Sequence, residues 1–185
     1  MVDNRTDDDD RHADADGTKL GESETRLAQA LFAAGCFWGV QYYFDQVPGV
    51  TRTVAGYTGG HTQNPTYDDV CSHTTGHAEA VLVTFDPHKV SYDTLLKQFF
   101  HMHDPTQLNR QGPDIGDEYR SAIFYFNDAQ KTAAEQARDA ARATLSQPVV
   151  TEITPSGPFY EAEPYHQKFA ERTGIGMCHI PYEPI

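Results

Sequence analysis

Apolar residues along the chain recur in short runs or alternations that predict five strands, and at helical spacing that predicts three helices. Residues 28–34 are a nearly unbroken apolar run, short enough for a buried strand. A helix is predicted over 36–46, ended by the Pro48-Gly49 turn. Residues 50–57 are rich in β-branched residues and predict a second strand. The clearest strand runs from His77 to Phe85. Side chains two apart share a face there, so Glu79 lines up with Val81, Val83 and Phe85, with His77 at the end of that face. A carboxyl heading an otherwise apolar face is the informative oddity of this pattern.

Further on, Ser91-Tyr92-Asp93 offers a cap for a helix with Leu95, Leu96, Phe99 and Phe100 at helical spacing, stopping near Asp104-Pro105. Residues 120–126 predict a strand. Asn127 or Asp128 then caps an Ala-rich helix reaching about Leu145, and 149–153 is the last expected strand. Residues 66–71 fit a helical turn, and Phe159–Glu171 includes a short helix. The stretch from Gly59 to Pro65 and residues 106–118 read as long polar loops, a kind that is often functional. The order β-α-β, β-α-β-α-β predicts an α/β (α+β) two-layer sandwich with a mixed sheet and a ferredoxin-like core, in preference to a doubly wound parallel sheet. The expected organisation is a disordered acidic tail over 1–25, one catalytic domain over 26–172, and an irregular Gly- and Pro-containing tail over 173–185.

Charge narrows the partners. The formal net charge is −13, and the acidity is shared between the tail and the domain. Nucleic acid and anionic lipid need basic patches and are not expected as partners. No apolar run approaches the ~18 residues of a membrane span, and no secretory signal opens the chain, so a cytoplasmic monomer is the expectation. Lysine is scarce, which fits a salt-rich cytosol as well as an ordinary acidic protein. The three cysteines, Cys36, Cys71 and Cys178, are far apart and show no C-x-x-C spacing, so neither a disulfide scaffold nor a zinc site is expected.

Cys36 is the first chemical candidate, because it falls where a strand ends and a helix begins. Peptide N–H groups converge on a helix start and favour the thiolate, the reactive form. Phe37 and Trp38 follow it and would line an apolar pocket, unless they are simply core aromatics. Glu79, if buried, would have a raised pKa and serve as a general acid; the plain alternative is a structural carboxylate paired with His77 or an arginine. Three functions remain open on these residues: a thiol reductase, a Cys hydrolase using Cys36, His77 and an acid, and a redox-sensing thiol module.

An ordered set of short motifs goes further. Gly35-Cys36-Phe37-Trp38-Gly39, Ala55-Gly56-Tyr57-Thr58-Gly59-Gly60, Asn64-Pro65-Thr66-Tyr67, Thr75-Gly76-His77-Ala78-Glu79-Ala80, His103-Asp104-Pro105-Thr106 and Tyr119-Arg120-Ser121 occur in that order. In order and spacing they resemble the A-type peptide-methionine sulfoxide reductases, the MsrA family, from about residue 30 to about residue 170. The resemblance implies a mixed α/β fold and reduction of methionine S-sulfoxide, free or in oxidised proteins, through a Cys36 sulfenic acid. It implies that Phe37 and Trp38 hold the S-methyl group, that Glu79, Tyr67 and Tyr119 surround the sulfoxide oxygen, and that Asp114 helps order the site. No metal or organic cofactor is implied. Cys178 is the expected resolving residue, in a tail whose Gly174 and Gly176 let it move, with thioredoxin or another dithiol reducing the resulting disulfide. The chain departs from family members that carry two recycling cysteines in a Gly-rich tail, since it has one. Cys71 stands where the family often has an unused cysteine, and direct reduction by an external thiol is the remaining alternative.

Overall fold

The computed structural model describes residues 26–176, 180, 181 and 183–185. The tail expected over 1–25 and the candidate Cys178 lie outside the described residues. Among the described residues no helix is long and apolar enough to cross a membrane.

The elements follow in the order β1 (Ala28–Ala34), α1 (Phe37–Asp45), β2 (Val50–Thr58), α2 (Tyr67–Cys71), β3 (Ala78–Phe85), α3 (Tyr92–Met102), β4 (Arg110–Gln111), β5 (Asp114–Ile115), β6 (Ser121–Tyr125), α4 (Asp128–Thr144), β7 (Glu152–Pro155), β8 (Phe159–Glu161) and α5 (Phe169–Thr173), with 3-10 turns at Asp117–Tyr119 and Pro164–His166. Six strands form one sheet in the order β7-β6-β1-β3-β2-β8. Only β6 and β7 pair in parallel; the other neighbours are antiparallel. The inner four, β6-β1-β3-β2, together with α1 and α3, have the split β-α-β arrangement of the expected ferredoxin-like core.

Local chemistry sets the helix starts. The side chains of Ser91 and Asn127 accept hydrogen bonds from the N–H of Thr94 and Gln130. Thr66 and Asp69 form a reciprocal capping box at α2. Each such cap is worth about 1 kcal/mol. The sheet face that carries Ala30, Phe32, Ala34, Val81, Val83 and Ile123 packs against Val40, Tyr43 and Phe44 of α1 and Leu95, Leu96, Phe99 and Met102 of α3. Phe32 stacks on Phe44 and on Phe99, each 5.3 Å between ring centres. Truncating so buried a ring costs about 3–5 kcal/mol.

Two expectations are corrected. The last expected strand, β7 at one edge of the sheet, starts at Glu152 rather than at Val149, because the Val150 N–H donates to the Pro105 carbonyl, 2.8 Å away, instead of to a strand. The 106–118 loop is more structured than its polarity suggests: it holds the β4–β5 hairpin and the start of a 3-10 turn. Buried Gln111 fixes it by accepting from the Asp104 N–H and donating to the Asp104 carbonyl, both at 2.9 Å. The edge strand β8, three residues long, has no sequence pattern of its own and forms by pairing with β2.

Candidate active site

Gly35 turns the chain out of β1 with φ at +100°, a conformation a side chain would oppose. That turn makes Cys36 the residue immediately before α1, half-buried. The N–H groups of Trp38 and Gly39 are aimed at its sulfur and lower the thiol pKa, as expected for a helix start, although no side-chain hydrogen bond caps the helix. The net effect is the reverse of the one anticipated. Burial first, then the nearby Glu79 and Asp114 carboxyls, push the Cys36 thiol well above its ordinary value. The resting residue is a thiol, not a standing thiolate.

Glu79 is where the strand alternation placed it, on the helix-facing side of β3 and 1% exposed. Among the described residues it pairs with neither His77 nor an arginine. Its Oε2 accepts the N–H of Phe37 at 3.0 Å, which sets the carboxyl at the start of α1 beside Cys36. Burial raises its pKa to about 8, with smaller contributions from the charges of Glu118 and Asp114, while the Phe37 N–H pulls the other way. Glu79 is therefore largely protonated at neutral pH and has a proton to give.

Tyr67 opens α2 and Tyr119 closes the Asp117–Tyr119 turn; both are half-buried. Burial holds both phenols above their ordinary range, with the Glu79 charge adding to it. They are O–H donors that do not ionise under working conditions. Tyr67 also hydrogen-bonds through its side chain to Cys71. Asp114, half-buried in β5, is near enough to raise both Cys36 and Glu79. Six of the expected site residues, Cys36, Glu79, Phe37, Tyr67, Tyr119 and Asp114, thus converge on one place.

Trp38 lines the same place with a partner that the strand and helix patterns did not reveal. His166, fully buried, accepts the Trp38 indole N–H on Nδ1 at 2.9 Å. Its ring lies 5.1 Å from Phe37 and 4.4 Å from Tyr67, and Phe169 stacks on the Trp38 ring at 3.9 Å. Accepting at Nδ1 puts the His166 proton on Nε2, and burial lowers the pKa, so the ring is neutral. Glu163 organises the surroundings: it accepts from the Tyr57 hydroxyl and the Tyr67 N–H, both at 3.2 Å, and lies 3.9 Å from His166 Nε2. The segment is docked by Gln167, which binds both the N–H and the carbonyl of Ala55 at 2.9 Å as a strand neighbour would. Its only sequence signal was an aromatic-His-Gln run, Tyr165-His166-Gln167.

The other candidates separate from this centre. Both ring nitrogens of His77 are engaged in the 60–62 loop, Nδ1 with the Gly60 N–H at 3.0 Å and Nε2 with the Thr62 carbonyl at 2.8 Å. Met177, Cys178 and His179 are outside the described residues, but their sequence neighbours sit on α1. A side-chain carbon at Gly39 would lie 2.9 Å from the Gly176 carbonyl oxygen and 2.8 Å from Ile180. Two grooves, beside the end of α3 and between α3 and α4, gather none of the site residues. His73, Asp117 and Glu118 bring their nitrogen and oxygen atoms within 4.8 Å of one another; His73 Nδ1 is 2.8 Å from Glu118 Oε2, and nothing else among the described residues there points to a cation.

The family model for peptide methionine sulfoxide reductase matches residues 28–185. This chain is a member of the peptide methionine sulfoxide reductase family. It is 53% identical over 161 residues to the MsrA of Geobacter sulfurreducens, covering 86% of this chain and 99% of that one. The fold resembles that of Saccharomyces cerevisiae Mxr1 in its reduced form, with a TM-score of 0.79 at 29% identity, over 86% of this chain and 92% of that one. It resembles the methionine sulfoxide reductase A of Corynebacterium diphtheriae with a TM-score of 0.73 at 36% identity, over 84% and 83% of the two chains. Mxr1 in complex with Trx2 shares the fold at 21% identity, with a TM-score of 0.55. Membership of the reductase family makes the chain an oxidoreductase.

Proposed function

We propose that the chain reduces methionine S-sulfoxide, free or within oxidised proteins, with Cys36 as nucleophile and Glu79 as proton donor. The observation that carries this reading is the 3.0 Å hydrogen bond from the Phe37 N–H to Glu79, which holds a protonated carboxyl at the nucleophile's own helix start. The S-methyl group of the substrate rests on Phe37 and Trp38, and the oxygen faces Glu79, Tyr67 and Tyr119, with Asp114 ordering the loop behind them. The Cys36 sulfur attacks the sulfoxide sulfur as Glu79 protonates the oxygen, and the proton of the Cys36 thiol passes to the Glu79 carboxylate, which is thereby restored. The two tyrosines donate hydrogen bonds to the charge that develops on the oxygen. Two electrons pass to the sulfoxide: the thioether is released, and Cys36 becomes a sulfenic acid that carries the oxygen.

The Cys178 thiol then attacks the sulfenic acid, forming a disulfide and releasing the oxygen as water. The packing of Gly176 and Ile180 on α1 supports this assignment, since they bracket Cys178 in the sequence. A thioredoxin, or another dithiol, reduces the disulfide; Mxr1, a protein of the same fold, is known in complex with Trx2. The nucleophile and the proton both come from the chain, so the scheme calls on no metal or organic cofactor.

The hydrolase alternative lacks its base, because both nitrogens of His77 are occupied away from Cys36. The test is an assay with separated S- and R-sulfoxides and dithiothreitol. Consumption of the S-epimer that is lost in Cys36→Ser supports the reading. Equal use of both epimers, or activity in Cys36→Ser, overturns it. Mass spectrometry after one turnover without reductant identifies the partner of Cys36.

A further inference from the structure

Two side chains outside the reaction centre join its halves. The turn after α2 leads past Cys71 to His73, an exposed residue with a left-handed backbone, φ +62°. Its Nδ1 lies 2.8 Å from Oε2 of Glu118 and 4.0 Å from Oδ1 of Asp117. Glu118 is 2% exposed and precedes Tyr119 in the 3-10 turn. The pair therefore links the segment that carries Tyr67 and Cys71 to the one that carries Tyr119. Arg120 secures the other end of that turn, donating to the Asp117 carbonyl at 2.9 Å, the Gly76 carbonyl at 3.0 Å and the Glu152 carboxylate at 3.1 Å.

A buried carboxylate is costly unless it is paired and hydrogen-bonded, and removing its partner is strongly destabilising. Glu118 belongs to neither the Glu163 network nor the sulfur's immediate surroundings, yet its charge reaches Glu79, Cys71 and Tyr119. Glu79 in turn faces Cys36 and the Phe37 N–H from the start of α1, Asp114 from β5, Glu118 and Tyr119 from the 3-10 turn, Tyr67 and Cys71 from α2, and Tyr57 from β2. Of these, Glu118 and Asp114 are the acids whose charges act on Glu79, and His73 is the side chain within hydrogen-bond distance of Glu118.

We propose that the His73–Glu118 pair is a positioning element of the active site, clamping the Tyr119 turn to the Tyr67 turn and setting the negative charge that Glu79 faces. The proposal rests on Glu79 being the proton donor. The sign follows from charge: a nearby carboxylate favours the protonated form of Glu79, so its loss makes Glu79 give up its proton at lower pH.

The test is kcat and KM measured from about pH 6 to about pH 10 for the wild type, Glu118→Gln, His73→Asn and His73→Lys, with dithiothreitol as reductant. Asparagine tolerates the left-handed backbone at 73 but lacks the imidazole that reaches Glu118. In Glu118→Gln the alkaline fall of kcat/KM moves down by roughly half to one pH unit. In His73→Asn kcat drops roughly five-fold with KM nearly unchanged, and His73→Lys restores it. An unmoved alkaline limb in Glu118→Gln together with unchanged kcat in His73→Asn overturns the proposal while leaving Glu79 as the acid. A wild-type profile with no alkaline limb overturns the Glu79 reading itself.

Discussion

The backbone N–H of Phe37 and the carboxyl of Glu79, 42 residues apart in sequence, meet at 3.0 Å. The bond joins the start of α1 to the helix-facing side of β3, and the chemistry of the site depends on it. A hydrogen bond from an N–H favours a carboxylate, but burial of the whole side chain outweighs it and holds Glu79 at about 8. One contact thus fixes where the acid sits, and burial fixes that it remains an acid.

The pH profile of the reaction follows. Wild-type kcat/KM falls as pH rises through about 8, where Glu79 loses its proton. Glu79→Ala loses about 100-fold or more in rate, the usual worth of a positioned acid. Glu79→Gln keeps part of the rate, because an amide still donates a hydrogen bond. Its residual rate rises with pH, since the remaining titration is that of the Cys36 thiol, relieved of the Glu79 charge that raised it. Steady-state rates across the pH range check this; a Glu79→Gln profile that falls like the wild type's removes Glu79 as the titrating acid.

Stability carries the same signature. The folded pKa of Glu79 lies above its ordinary value of 4.5, so folding favours the protonated group. Its contribution is fully present below pH 4.5 and is lost as pH rises to about 8. Across that window the folded state holds a proton that the unfolded state has released, so stability falls by up to about 1.4 kcal/mol per pH unit from this group. Glu79→Gln lacks that slope. Urea unfolding at several pH values is expected to show the variant gaining on the wild type from pH 5 to pH 8; parallel curves count against a buried, protonated Glu79.

Tyr67 and Tyr119 come from different elements, and in the proposed scheme both donate to the sulfoxide oxygen, so each covers for the other. Changing one to Phe is expected to lower kcat by only a few-fold, and changing both by about 100-fold or more. Single and double variants assayed together decide it, and a fully active double variant excludes the pair.

Gln167 tests how far the aromatic wall depends on its docking. Gln167→Ala removes both hydrogen bonds to Ala55 and leaves its N–H unpaired, while its carbonyl keeps the Ala162 N–H at 2.9 Å. A loss of about 2–3 kcal/mol in stability is expected, with a rise in KM as His166 and Trp38 lose their fixed positions. Thermal unfolding and substrate titration separate the two effects, and an unchanged KM detaches the wall from Gln167.

The close approach of Gly39 to Gly176 and Ile180 bears on recycling. A methyl group at 39 meets a backbone oxygen, which cannot swing aside as a side chain does. Gly39→Ala is expected to slow disulfide formation about ten-fold while slowing sulfenic acid formation far less. Quenched-flow mass spectrometry resolves the two steps, and equal slowing of both refutes a role for the tail contact.

Much of this was legible in the chain, and what was not has physical causes. The period-two pattern of β3 placed Glu79 on the buried face, and the apolar spacing of α3 named Leu95, Leu96 and Phe99, all fully buried. Those signals are local. The protonation of Cys36 was misread because the helix-start N–H effect is local, whereas the opposing burial and the Glu79 and Asp114 charges arrive from other elements. His166 and Glu163 escaped because they lie in a segment of short, irregular turns with no period to read. β8 exists only through its partner β2. The motif resemblance supplied Tyr67, Tyr119 and Asp114, which no spacing rule distinguishes among ten tyrosines and many loop acids.

The protonated resting state of Cys36 has a consequence for a protein whose work brings it among oxidants. Peroxides attack sulfur anions far faster than neutral sulfhydryls. A cysteine kept uncharged in its idle state is a poor target for them, and in the proposed scheme it reacts once a bound sulfoxide draws on the Glu79 proton. The same burial that makes the nucleophile reluctant also keeps it from being squandered between substrates.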